Sequence, residues 1–205
     1  ELDAHFPLSV WQTGSGTQTN MNVNEVIANR SQVLAGRVPG TADRIVHPND
    51  DVNCSQSSND TFPSVMNMAA ALMVNQVTLP GLRRLEAGLA EKAVEWKGLV
   101  KTGRTHLMDA TPVTLGQVFS GYAAILSRGI GILETVQPGL LELALGGTAV
   151  GTGLNAHPDF GALAAGLISN ATGLAFISAP NKFEALSAHT AIVSVHGAFK
   201  TIAAG

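Results

Sequence analysis

The stretch SNDTFPSVMNMAAALMVNQVTLPGLRRLEAGLAEKAVEW, Ser58–Trp96, decides the fold. Its apolar residues Phe62, Val65, Ala69, Leu72, Leu79, Leu82, Leu85, Leu89, Ala93 and Trp96 follow helical spacing. The pattern predicts one long helix, on the order of 55 Å at a rise of ~1.5 Å per residue. Pro80 is expected to kink it. Ser58, Asn59 or Asp60 is expected to cap its start, leaving hydroxyls, amides and free backbone N–H groups where a carboxylate would be welcome. The residues just before it, Cys54-Ser55-Gln56-Ser57, carry no large apolar group.

Toward the C-terminus lies a second pattern: Leu115, Val118, Tyr122, Ile125, Gly129, Ile132, Val136, Leu140 and Leu143. Between 115 and 145 only Arg128, Glu134 and Glu142 are charged, so this helix is expected to be buried on nearly all sides. The connecting segment Gly103-Arg104-Thr105-His106-Leu107-Met108-Asp109-Ala110-Thr111-Pro112 reads as a loop, because the residue before a proline is pushed out of the helical region. An imidazole on a fixed loop can move protons near neutral pH. A lone loop histidine is more often a hydrogen-bonded bystander, so His106 gains weight only from its company. Gly146–Asn155 breaks the second helix; it lacks a Gly-Lys-Ser/Thr ending and a preceding strand, which excludes a phosphate loop and a dinucleotide fingerprint. Helical patterns resume at 158–173 and 182–205, separated by Ser178-Ala179-Pro180-Asn181.

Toward the N-terminus, a turn-rich segment ends in Gly14-Ser15-Gly16-Thr17-Gln18-Thr19-Asn20 and leads into a helix expected from Met21 to Ala35, capped by Thr19 or Asn20. Residues 36–53 read as loop. Within it His47, Asn49 and Asp50 are too few and too weak a ligand set to expect a metal, and a polar turn held by Asx hydrogen bonds is the commoner outcome.

Composition narrows the function classes. Charged residues are 13% and hydrophobic residues 45%, a surface too poor in charge for a compact monomer, so burial against other subunits is expected. The net charge of −3 offers no basic stripe for nucleic acid or an anionic membrane. A single cysteine, Cys54, excludes an internal disulfide and fits a reducing compartment. No signal peptide or bilayer-spanning run is read from the sequence. It opens at Glu1 without a methionine and stops at Gly205 inside a helical pattern, so it is expected to be a piece of a longer chain.

Three polar segments thus sit beside long helices, at Gly14–Asn20, His47–Asn59 and Gly103–Pro112. The strings GSGTQTNMNVNE, HPNDDVNCSQSSND, GRTHLMDATPVTLGQ and LGGTAVGTGLN, in this order, resemble the class II fumarases (fumarate hydratases) of the aspartase/fumarase superfamily. The resemblance spans essentially the whole chain. It implies an all-α fold, a long-helix bundle completed by homotetramerisation, with active sites shared between subunits. Residues 1–58 would be the end of an N-terminal domain, and 59–205 part of the central bundle. It further implies cytoplasmic residence, or the mitochondrial matrix in a eukaryote, and a place in the tricarboxylic acid cycle.

Carried over by motif position, Ser15, Gly16 and Thr17 resemble one substrate-carboxylate segment and Ser57, Ser58 and Asn59 another. Thr105 and His106 match the third, in which the histidine handles a water proton. His47, Pro48, Asn49 and Asp50, with Arg44, resemble a second dicarboxylate site apart from the active site. The implied reaction is reversible addition of water to fumarate, giving L-malate through a dianionic aci-carboxylate, without metal or cofactor. In the family the carbon base is a serine on a Gly-Ser-Ser loop, followed by a lysine and an asparagine; no Gly-Ser-Ser run occurs here, so these residues alone are expected to be inactive. Met108 stands where glutamine is common and Val118 where glutamate is. The alternatives are an aspartate ammonia-lyase, which usually has glutamine at the position of His106, and a catalytically silent, crystallin-like relative.

Overall fold

A computed structural model describes residues 2–41 and 43–205, and these divide into two compact units. Among the described residues, unit 1 comprises 2–41, 43–68 and 141–189; unit 2 comprises 69–140 and 190–205.

Unit 1 opens with α1, Thr17–Leu34, preceded by a short 3₁₀ turn at Asp3–His5. The helix starts earlier than the expected Met21 because Gly16, at φ 69°, takes the left-handed N-cap position. Thr19 and Asn20 are therefore inside the helix rather than capping it. A Cβ on Gly16 would lie 2.1 Å from the Phe62 ring, so only glycine permits this approach. Asn20 and Asn24 each donate to Asn53 Oδ1 at 3.0 Å, and the Thr61 hydroxyl donates to Asn20 Oδ1 at 3.1 Å. The amides of GTQTNMNVNE thus bind this helix to the polar segment before the next one.

That next helix, α2, covers Ser58–Met73 and continues through a π-helical turn, Val74–Thr78, into α3, Leu79–Glu95. The single long helix is present, and its irregularity lies just before Pro80 rather than at it. The Leu79 N–H reaches back five residues to the Val74 carbonyl, and Pro80, which has no N–H for the helical ladder, follows this wide turn directly. Pro63 lies inside α2, five residues past its first residue Ser58, and has no N–H to offer the helical ladder there. By length and composition alone Ser58–Glu95 could cross a bilayer. Yet it carries Asn67, donating to the Glu142 carbonyl, and Asn75, donating to Gln137 Oε1.

The rest of unit 1 is a two-residue parallel pair, β3 (Glu142–Leu143) with β4 (Ile177–Ser178), and helices α5 (Phe160–Thr172) and α6 (Lys182–Ser187). Its core holds Ala28, Leu143, Ala144, Ala165, Phe176 and Ala179, interleaved with buried Asn24, Gln32, Asp60, Ser64 and Thr148. Half of that interior is polar, so hydrogen bonds rather than apolar area determine its geometry.

Unit 2 contains α3, an antiparallel hairpin of β1 (Val100–Thr105) and β2 (Met108–Thr114), α4 (Leu115–Val136) and α7 (Thr190–Ala204). The hairpin replaces the loop expected at 103–112; Pro112 is tolerated because a two-stranded ribbon has free edges. A register irregularity falls between Thr102 and Arg104, where a Cβ on Gly103 would lie 2.4 Å from the Thr111 carbonyl oxygen. α4 begins with a capping box: Thr114 Oγ1 accepts from the Gln117 N–H, and Gln117 Oε1 accepts from the Thr114 N–H. It ends at a 3₁₀ turn, Gln137–Leu141, containing Pro138. The helix packs on α3 and on α7. Within this chain it buries only Gly116, Gly129, Ile130 and Leu133, leaving Tyr122, Ile125 and Ile132 exposed. The expected burial on all sides is therefore not reached by one chain.

Candidate active site

Two helix N-termini meet in unit 1. Thr17 Oγ1 lies 3.2 Å from Ser58 Oγ and 3.4 Å from Ser15 Oγ, which is 2.9 Å from Thr13 Oγ1. The start of α2 is closed by a reciprocal cap: the Asn59 N–H donates to Ser57 Oγ at 3.2 Å, and the Ser57 N–H donates to Asp60 Oδ1 at 2.9 Å. The cap is thus Ser57, one residue before the expected trio. Backbone N–H groups and hydroxyls at such an end favour an anion. Of the residues singled out in the sequence, Ser15, Gly16, Thr17, Ser57, Ser58 and Asn59 are brought together here.

The cluster borders two cavities. One, of 630 Å³, is lined by Thr17, Ser57, Ser58, Asn49, Thr148 and Asn155 among others. The second, of 520 Å³, takes Ser15, Ser58, Asn59, Phe183 and His189. Asn49, expected to belong to a separate dicarboxylate site, shares the first cavity with Thr17 and Ser58, whereas His47, Pro48, Asp50 and Arg44 do not line it.

His47 has a structural task of its own. Its Nδ1 accepts from the N–H groups of Asn49 (3.3 Å) and Asp50 (3.1 Å), capping the π-helical turn Pro48–Val52. Asp50 Oδ2 lies 3.3 Å from the same nitrogen. Because Nδ1 accepts those N–H bonds it carries no proton in this arrangement, so the Asp50 contact is not an ion pair. The His47 N–H donates to Asp51 Oδ2 at 2.6 Å, and Arg44 pairs with Glu25 at 3.0 Å.

Thr105 and His106 belong to unit 2, at the tip of the β1–β2 hairpin. His106 (φ 51°) and Leu107 (φ 62°) are the two turn residues, both left-handed, and Leu107 is fully exposed at 101%. A two-residue turn of this geometry favours Asn-Gly, so His-Leu bears strain of about 1–2 kcal/mol per residue. Strain of this kind collects at functional positions.

Two residues that the sequence reading did not place in the site are central to its frame. Asp60 is fully buried, at 0% exposure; besides the cap, its Oδ2 accepts from the N–H groups of Gly146 (3.0 Å) and Thr148 (2.8 Å). Burial pushes its carboxyl above the ordinary value, partly offset by the N–H groups of Ser57, Thr148 and Gly146. Lys182 donates to the carbonyls of Leu143 (2.7 Å) and Leu145 (2.9 Å). Burial lowers its pKa, and the charge of Asp60 opposes that shift. The pattern Ser57-x-x-Asp60 signals the cap from sequence alone, whereas the bonds to Gly146 and Thr148 span 86 and 88 residues and leave no local trace.

Against known proteins, a family model described as "Lyase" matches residues 1–205. The chain belongs to the lyase family. Within it, the chain is 57% identical over 204 residues to a class II fumarate hydratase of Caulobacter vibrioides, covering 100% of this chain and 44% of that protein. It is 58% identical over 203 residues to a class II fumarate hydratase of Pasteurella multocida, covering 99% of this chain and 44% of the relative. Among solved structures it matches a class II fumarase from Schistosoma mansoni with TM-score 0.90 and 41% identity, covering 98% of this chain and 45% of that one. A fumarate lyase:delta crystallin from Brucella melitensis matches with TM-score 0.88 and 42% identity, over 96% and 42% of the two chains. The chain therefore spans about 44% of the length of the curated relatives it matches. The all-α fold expected from the sequence is that of these lyases.

Proposed function

We propose that this chain is part of a class II fumarate hydratase, a hydro-lyase adding water reversibly to fumarate to give L-malate. The observation carrying the proposal is the convergence of Ser15, Thr17, Ser58 and the N-terminus of α2 on adjoining cavities, in a chain 57% identical to fumarate hydratases. In this reading Ser15, Gly16, Thr17, Ser57, Ser58 and Asn59 hold a substrate carboxylate through hydroxyl, amide and backbone donors. The same donors stabilise the aci-carboxylate dianion that forms when a proton leaves the carbon beside that carboxylate. His106, next to Thr105, takes the proton of the attacking water, or returns it to the departing hydroxide. His47, Pro48, Asn49, Asp50 and Arg44 form a second dicarboxylate site.

Residues 1–58 close an N-terminal domain and 59–205 contribute to the central helical bundle of a homotetramer whose subunits share active sites. The apolar face of α4 left open by Tyr122, Ile125 and Ile132 supports such an assembly. The enzyme acts in the tricarboxylic acid cycle, in the cytoplasm or mitochondrial matrix, and needs no metal or cofactor. The imidazole at residue 106, in place of the glutamine usual in aspartate ammonia-lyases, favours water over ammonia as the nucleophile. Assays on the full-length protein with fumarate, aspartate and argininosuccinate test the proposal. Loss of fumarate's ultraviolet absorbance with L-malate formed, and no turnover by residues 1–205 alone, is the expected result. Turnover of aspartate but not fumarate, or of neither, overturns it.

A further inference from the structure

Asp60 and Lys182 are ionisable groups with their polar atoms committed to backbone, and the proposed chemistry gives neither a proton to move. What they share is one loop. Along residues 143–149, Lys182 Nζ takes the carbonyls of Leu143 and Leu145, Asp60 Oδ2 takes the N–H groups of Gly146 and Thr148, and the Leu145 N–H donates to Ser64 Oγ at 2.9 Å. The loop continues to Ala149, whose carbonyl accepts from Asn59 Nδ2 at 2.8 Å. Asp60 also holds the Ser57 N–H through its other oxygen, at 2.9 Å. A single buried carboxylate therefore clamps the α2 cap and the glycine-rich loop together, and Lys182 fixes the loop from its other edge. Thr148 is held with φ at 56°, a conformation an unpinned threonine avoids.

We propose that Asp60 and Lys182 are positioning residues: by locking the 143–149 backbone onto the start of α2 they aim the Asn59 amide and the Ser57–Ser58 donors at the substrate carboxylate. This rests on the function proposed above. Asparagine at position 60 offers one carbonyl oxygen where the carboxylate offers two, so it can satisfy the Ser57 N–H or the pair from Gly146 and Thr148, but not both sides. Methionine at 182 fills the space of the lysine stem but removes the Nζ donor shared by the Leu143 and Leu145 carbonyls, leaving the Leu143 carbonyl the Ala179 N–H at 2.9 Å.

The test uses the full-length protein, with fumarate hydration by the unsubstituted enzyme measured first; its absence defeats the proposed function and leaves the clamp as an independent matter. Given that activity, Asp60→Asn and Lys182→Met are each expected to raise KM for fumarate about tenfold, with the retained oligomer confirmed by light scattering. Lys182→Arg, which still donates to carbonyls, is expected to restore KM to within about threefold of the parent. Rate loss proportional to the unfolded fraction, with KM of the folded remainder unchanged, overturns the proposal. Hydrogen exchange on the unsubstituted protein decides it should Asp60→Asn not fold. A dicarboxylate such as malonate is expected to slow exchange at Gly146 and Thr148, and no change at those amides would contradict the clamp.

Discussion

The hydroxyl of Thr17 meets that of Ser58 at 3.2 Å across 41 residues of chain, joining the first turns of α1 and α2. Two positive helix ends facing one another add their attraction for an anion. Gly16 is what lets them approach, since its left-handed N-cap and missing side chain leave room for the Phe62 ring.

Gly16→Ala should therefore cost stability through both strain and overpacking, about 2–4 kcal/mol together. Urea denaturation of the full-length protein checks this, and the variant's KM for fumarate should rise as Thr17 is pushed from Ser58. A free-energy loss below about 0.5 kcal/mol would mean the Phe62 ring moves aside at little cost.

At the hairpin tip the strain runs in the opposite sense. Leu107 makes a left-handed turn with its side chain in solvent, so Leu107→Gly removes the steric penalty and loses no packing. A gain of about 1 kcal/mol in unfolding free energy is expected. A decrease would show that the Leu107 side chain is covered in the assembled protein.

His47 supports two N–H groups of a single π-helical turn. His47→Ala should cost about 1 kcal/mol of stability by loss of that cap. If the segment's contribution is local support for Asn49, kcat will change by less than about threefold, whereas a tenfold fall would give His47 a direct part in turnover.

Asp60 makes a prediction for pH. Burial raises its folded pKa above the ordinary 3.8, so the folded state binds that proton more tightly than the unfolded chain does. The stabilising contribution is complete below 3.8 and is lost as pH rises through the folded value. Relative to Asp60→Asn, the unsubstituted protein should thus gain stability as pH falls through that window. Paired urea melts from pH 7 down to about pH 4 measure the difference, and a difference that stays flat would place the Asp60 carboxyl at its ordinary pKa.

The long helix was legible because its apolar period survives over 38 residues, although its cap fell at Ser57, one residue before the expected Ser58, Asn59 or Asp60. The hairpin was not. Thr111-Pro112 read as a breaker, and the His106-Leu107 turn lacks the Asn-Gly that normally announces a two-residue connection. The beginning of α1 was misplaced for a related reason: a glycine N-cap stabilised by Phe62, a residue of α2, has no local signature. The clustering of Ser15, Thr17 and Ser58 was foreshadowed by the motif resemblance and by the hydroxyls and amides that the sequence places at two helix starts. Asp60 and Lys182 matter through backbone partners far along the chain, and only folding reveals those partners.

In the proposed reaction the imidazole of His106 carries a water proton for a substrate held by the Thr17–Ser58 donors. Steady-state fumarate hydration by the full-length His106→Gln protein probes that role. His106 sits in a turn, so glutamine there should leave the melting temperature within a few degrees and KM within about threefold, while kcat falls at least about a hundredfold. A kcat equal to that of the unsubstituted enzyme would contradict the assignment.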